Sequence, residues 1–125
     1  MALPSFLRAA ARSVVLSMIM TGPVLAQATP QDVIQSFSLR VAPALNVPAD
    51  EQVRYGSLAL ATLKDAGIGL LGAQYVLVVD RNPKVQAVIL YWLPAGGSPL
   101  YVGASPVSTG RIGQFDHFET PTGVY

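Results

Sequence analysis

Tyr75-Val76-Leu77-Val78-Val79, then Asp80-Arg81-Asn82-Pro83, then Val85 to Leu93 (VQAVILYWL): this stretch decides the fold class. β-Branched and aromatic residues run together on both sides of a short segment of turn formers. That pattern predicts a hairpin over 75–93. Pro94 to Pro99 (PAGGSP) supplies a second turn, and Leu100-Tyr101-Val102-Gly103-Ala104 opens a third strand expected to run into Val107-Ser108. A polar loop from Thr109 to Glu119 and a last segment, Thr120 to Tyr125, follow.

Upstream of Gln74 the spacing is helical. Thr29-Pro30-Gln31-Asp32 reads as a helix start, with Thr29 as N-cap and Pro30 in the first turn. Val33, Phe37 and Val41 then share one side, and Pro43 stops the helix, giving a span of 30–41. A second helix is expected over 48–66, with Asp50 and Glu51 suiting the positive end of its dipole. Val53, Leu60 and Leu63 define its apolar face, with Leu58 near the edge. Gly67 suits a left-handed cap, and the glycines at 67, 69 and 72 make a connection. Helices first and strands after predict a mainly β, segregated α+β arrangement.

The N-terminus reads as an export signal. Arg8 and Arg12 form a positive leader, Ser13 to Leu25 is an apolar run, and Ala26-Gln27-Ala28 gives a small-x-small cleavage pattern. The run is shorter than the roughly 20 residues a spanning helix needs and contains Gly22-Pro23. A signal peptide over 1–28, cleaved before Thr29, is therefore expected, with a periplasmic or exported product and no stable membrane span afterwards. Removing 28 residues from 125 leaves 97. Arg8 and Arg12 leave with them, so eight basic residues become six against seven acidic, a net charge of −1. A domain that small has a small core.

Composition excludes several classes. The chain is 51% hydrophobic and 12% charged, too apolar for a disordered tail. No Lys/Arg cluster forms the basic stripe that nucleic acid would require. There is no cysteine, hence no disulfide, thiolate metal site or thiol nucleophile within the chain.

Two pieces late in the chain carry the functional signal. Pro106-Val107-Ser108-Thr109-Gly110-Arg111-Ile112-Gly113 is followed by Glu119-Thr120-Pro121-Thr122-Gly123-Val124-Tyr125. Gly110, Gly113 and Gly123 suit tight corners. Pro121 suits the first residue of a strand. Ser108, Thr109, Thr120 and Thr122 can hold loop shape through nearby backbone. Together, behind the hairpin containing Val78-Val79-Asp80-Arg81, these pieces resemble the L,D-transpeptidase catalytic domain, over about 75–125. Gln114-Phe115-Asp116-His117-Phe118 makes the intervening loop longer than the commonest family spacing.

The resemblance implies the N-terminal part of an L,D-transpeptidase-type β-sandwich. The chain would then divide into the signal peptide at 1–28, a helical segment at 29–72 and an incomplete catalytic domain at 73–125. The family's function is peptidoglycan cross-linking, in cell-wall biogenesis and cell shape. It is an acyl transfer in which a cysteine thiolate attacks a stem-peptide carbonyl and an amine resolves the thioester. Peptidoglycan stem peptides are the implied partners, and no metal or organic cofactor is implied. The family's Ser-His-Gly-Cys type motif lies beyond the end of this chain. No catalytic residue is therefore assigned. Ser108, Thr109, Gly110, Arg111, Gly113, Thr120, Pro121, Thr122 and Gly123 are carried over as scaffold near the active site. The polypeptide 29–125 is expected to be truncated, inactive and poorly folded on its own. The alternative is a non-catalytic periplasmic module, or a truncated remnant, that binds cell wall or a partner.

Other constellations yield weaker readings. His117 beside Asp116 and Glu119 suggests a metal ligand, but adjacent residues need not converge, and a solvated loop is expected. A Ser108–His117–Asp116 hydrolase lacks the Gly-x-Ser-x-Gly elbow. Trp92, Tyr91 and Tyr101 suit sugar stacking, yet aromatics at alternating strand positions are expected in the core. Asp80-Arg81 is expected as a solvated turn.

Overall fold

A computed structural model describes residues 27–69, 72–110 and 119–125. It is a small α+β fold: helix α1 (Pro30–Arg40), helix α2 (Ala49–Asp65), and strands β1 (Gln74–Asp80), β2 (Ala87–Leu93) and β3 (Leu100–Pro106). The strands form one antiparallel sheet in the order β1-β2-β3. The signal peptide expected over 1–28 lies, apart from Gln27 and Ala28, outside the described residues. Among the described residues no helix is long and apolar enough to cross a membrane.

Local chemistry places the helix ends. Asp32 N–H donates to Thr29 Oγ1 at 3.2 Å, and Thr29 N–H donates to Asp32 Oδ2 at 2.8 Å, a reciprocal capping box. Those bonds from Thr29, backbone first and hydroxyl second, hold the Asp32 carboxyl below its ordinary range. At the end of α2, Gly67 takes φ +70°. Its N–H reaches Lys64 C=O, and Ile68 N–H reaches Leu63 C=O at 2.9 Å, which closes the helix in a Schellman motif.

The two helices lie against opposite faces of the sheet. Tyr55, Leu63, Ile89, Tyr91, Leu93 and Ala104 form the core on the α2 side. Burying each large aliphatic among them contributes about 1.5–3 kcal/mol. The Tyr91 hydroxyl donates to Gln52 C=O at 2.7 Å, so the deepest aromatic carries no unsatisfied polar group. Burial pushes that hydroxyl's pKa up to about 12. On the other face, Phe37 of α1 covers Gly103 of β3 so closely that a Cβ there would overlap its ring.

The expected face of α2 holds at Leu63, which is buried, and at Leu60, which packs half-buried on the core, but fails at Val53 and Leu58. Val53 is 71% exposed and Leu58 is 48% exposed, while Tyr55, Gly56, Ala59 and Leu63 are the buried residues. The stripe is set by its partner: a Cβ on Gly56 would lie 3.2 Å from Tyr91 Cε1 and 3.1 Å from Pro99 Cβ, so α2 approaches the sheet at its smallest residue. The strands also begin and end differently from expectation. Val85 and Gln86 belong to the turn, because both their N–H groups donate to Asn82 C=O and Gln86 takes φ +44°. β3 stops at Pro106, although Val107 N–H still donates to Gln86 C=O at 2.9 Å.

Register places the side chains. Tyr75 pairs with Trp92, Leu77 with Leu90 and Val79 with Val88. A bulge shifts the next pairing, so that Tyr91 faces Tyr101 while Leu90 faces Gly103.

Candidate functional site

The corner where β1 ends gathers the two sequence pieces. Val107 N–H holds the first piece against the entry to β2. Thr109, two residues on, is a buried polar residue at 2% exposure, whereas Ser108 is exposed. Thr120 N–H donates to Thr109 C=O at 2.9 Å, which brings the second piece against the first. Arg81, the residue after β1, then anchors the second piece: its Nη1 donates to Thr120 C=O and lies 3.5 Å from Glu119 Oε1. Gly110 takes φ +79° and Gly123 φ +143°, conformations that an L side chain rarely adopts. Pro121, Thr122 and Gly123 are exposed, and the segment 119–125 forms no strand, contrary to the strand expected to begin near Pro121. Arg111 and Gly113 lie outside the described residues, as do His117 and Asp116.

Asp80-Arg81 is not a solvated turn. Both residues are half-buried and each is tied to a distant element. Asp80 Oδ2 accepts the Tyr55 hydroxyl at 2.5 Å, and Oδ1 accepts Asn82 N–H at 2.7 Å. The bond to Asp80, and after it burial, pushes the Tyr55 hydroxyl pKa up, so it remains a donor at neutral pH. Arg54 sits 4.2 Å over the Tyr55 ring and pairs with Glu51 at 2.6 Å. Sequence reasoning missed Tyr55 and Arg54. The only available signal was that Tyr55 stands four residues before Ala59 and eight before Leu63, on one helical stripe.

An open groove of about 900 Å³ runs between α2, β1 and the last segment. Tyr55, Leu58 and Ala59 line one wall, and Thr122, Val124 and Tyr125 another. Thr120 to Gly123 thus border the groove, and Asp80 and Arg81 stand at its end. The described residues hold no group of three or more His, Asp or Glu residues placed to bind a metal. The aromatic trio divides between the two faces: Tyr91 and Tyr101 meet edge to face at 5.9 Å, whereas Trp92 points the other way and packs on Tyr75 at 4.7 Å.

No family model matches this chain, and no curated protein aligns with it.

Proposed function

We infer that this chain is the front part of an L,D-transpeptidase-type β-sandwich, exported by the segment at 1–28 and acting in peptidoglycan cross-linking. The acyl transfer runs through a cysteine encoded beyond Tyr125. What supports the reading is one juxtaposition. Ser108-Thr109-Gly110 and Thr120-Pro121-Thr122-Gly123, the pieces that resemble the family, meet through the Thr120–Thr109 backbone bond, with Arg81 clamped on the second. A thioester route needs a sulfur nucleophile and a positioned base. In this reading Arg81, Thr109 and Thr120 supply neither; they fix the loop edges against which those groups would stand.

The decisive experiment is intact-mass measurement of the native polypeptide together with the downstream reading frame. The expected result is a longer protein with a His-Gly-Cys motif, which consumes stem peptides and releases a D-amino acid. A native chain ending at Tyr125 that still joins stem peptides would refute the thiol chemistry. A native chain ending there with no activity would favour the second reading, a non-catalytic periplasmic module. That reading rests on the open groove and on the absence of cysteine from the sequence.

A further inference from the structure

Tyr55 of α2 and Thr120 of the last segment stand far apart in the chain, yet one run of hydrogen bonds joins them. The Tyr55 hydroxyl donates to Asp80 Oδ2 at 2.5 Å. The other oxygen of the same carboxylate, Oδ1, accepts Asn82 N–H at 2.7 Å. Asp80 thus commits one oxygen to α2 and the other to the turn that carries Arg81. Arg81 Nη1 donates to Thr120 C=O, and Thr120 N–H donates to Thr109 C=O at 2.9 Å. Both backbone polar groups of Thr120 are therefore taken, one from each flank.

The carboxylate makes this more than a series of contacts. Arg81 is bracketed by Asp80 and Asn82, which one side chain ties together, so the backbone that aims Arg81 is braced. Tyr55 in turn braces the carboxylate, because its ring is packed in the core and cannot follow a moving loop. We propose that Tyr55 is a positioning residue for the piece Thr120 to Gly123. Acting through Asp80 and Arg81, α2 sets where that piece lies against Thr109. The importance of the piece rests on the functional reading above; the relay itself does not. A helix upstream of the hairpin thereby forms part of the frame of the site.

The hydroxyl can be separated from the ring. Val124, further along the last segment, packs against the core cluster that includes Tyr55. Tyr55→Phe keeps the ring in that cluster and removes only the first bond of the relay. The Arg81–Glu119 pair, at 3.5 Å and partly exposed on both sides, adds little to the hold on the segment. The Arg81 bond to Thr120 C=O is the link that matters.

The test is amide hydrogen exchange at Thr120, followed by NMR on the native polypeptide at its measured mass. Tyr55→Phe should speed it by about tenfold at most, which corresponds to the lower end for a hydrogen bond to a charged group. In an Arg81→Ala background the relay is already cut, so Tyr55→Phe should add nothing at Thr120, a non-additivity that measures the coupling. Phe37→Ala loosens α1 on the opposite face of the sheet and should leave Thr120 exchange unchanged. That control separates a relay from a general loss of stability, and circular dichroism should show each variant folded. Thr120 exchange indifferent to Tyr55→Phe, equal acceleration by Phe37→Ala, or full additivity with Arg81→Ala would each overturn the proposal. The functional reading stands or falls separately, on the downstream cysteine.

Discussion

Adding one methyl group at Gly103 should detach α1 from the sheet. A Cβ at that position would lie 2.3 Å from both Cδ1 and Cε1 of Phe37 and 2.8 Å from Cγ. Carbon pairs are at their best near about 3.5–4.0 Å, so the ring must retreat by about 1.2–1.7 Å. Phe37 is anchored to a helix whose other sheet-facing residues, Val33 and Ile34, are only half-buried, so α1 would shift with it. Overpacking of this kind costs about 1–3 kcal/mol. Phe37→Ala alone should cost about 1.5–2.5 kcal/mol, half the usual figure for a fully buried phenylalanine, because this one is half-buried. The double variant is the sharper test: with the ring gone the Gly103 methyl has room, so Phe37→Ala/Gly103→Ala should be no less stable than Phe37→Ala. The cycle would then show a favourable coupling of about 1–3 kcal/mol. Denaturant titration measures all three variants, and hydrogen exchange in 30–40 reports whether α1 has lifted. Simple additivity, or a Gly103→Ala variant as stable as the parent, would refute the close contact.

Other outcomes follow from the same packing. Gly56→Ala gains about 1 kcal/mol of helix propensity but presses on Tyr91 and Pro99, and should be net destabilising by about 1 kcal/mol in a thermal melt. Tyr55→Phe should cost about 1.5 kcal/mol by denaturant titration, the lower end for a hydrogen bond to a charged group, since Asp80 is half-buried. Arg81→Ala should free 119–125, seen as faster proteolysis near Thr120 with α2 protection unchanged. Burial raises the Tyr91 pKa from about 10 to about 12 on folding, so the protonated hydroxyl stabilises the native state below pH 10. That contribution is lost as pH rises through about 12. A Tyr91→Phe variant should show a flatter decline in stability across that window.

What the residues disclosed before any coordinates depended on how local the chemistry was. The Thr29–Asp32 box and the Gly67 stop involve groups three to five residues apart, and both were legible. The hairpin was legible because β-branched runs flank a turn that Asn82 closes through its own side chain. The face of α2 was legible only in part: Leu63 and Leu60 do face the core, and Val53 and Leu58 do not. Val53, Leu60 and Leu63 suggest one stripe, but the helix turns toward Gly56 and Tyr55, where the sheet offers Tyr91 a close approach. Tyrosine hides such a choice, since its ring is apolar and its hydroxyl polar. Asp80 and Arg81 looked like turn residues because their partners stand 25 and 39 positions away. No periodicity carries that information. Arg81 nonetheless reaches the very piece, Thr120 onward, that the motif reading singled out.

These features converge on one strand. β1 supplies Asp80 to the helix and, through the adjoining Arg81, a clamp on the last segment, and it borders the groove. Its Tyr75, Leu77 and Val79 remain exposed while Ile89, Tyr91 and Leu93 of the neighbouring strand are almost fully buried. A solvent-facing edge strand would relieve this with a single lysine at Leu77, at little cost to a side chain already 64% exposed. The corner built around Arg81 fixes one end of β1 to α2, through Asp80 and Tyr55, and to the final segment, through Thr120.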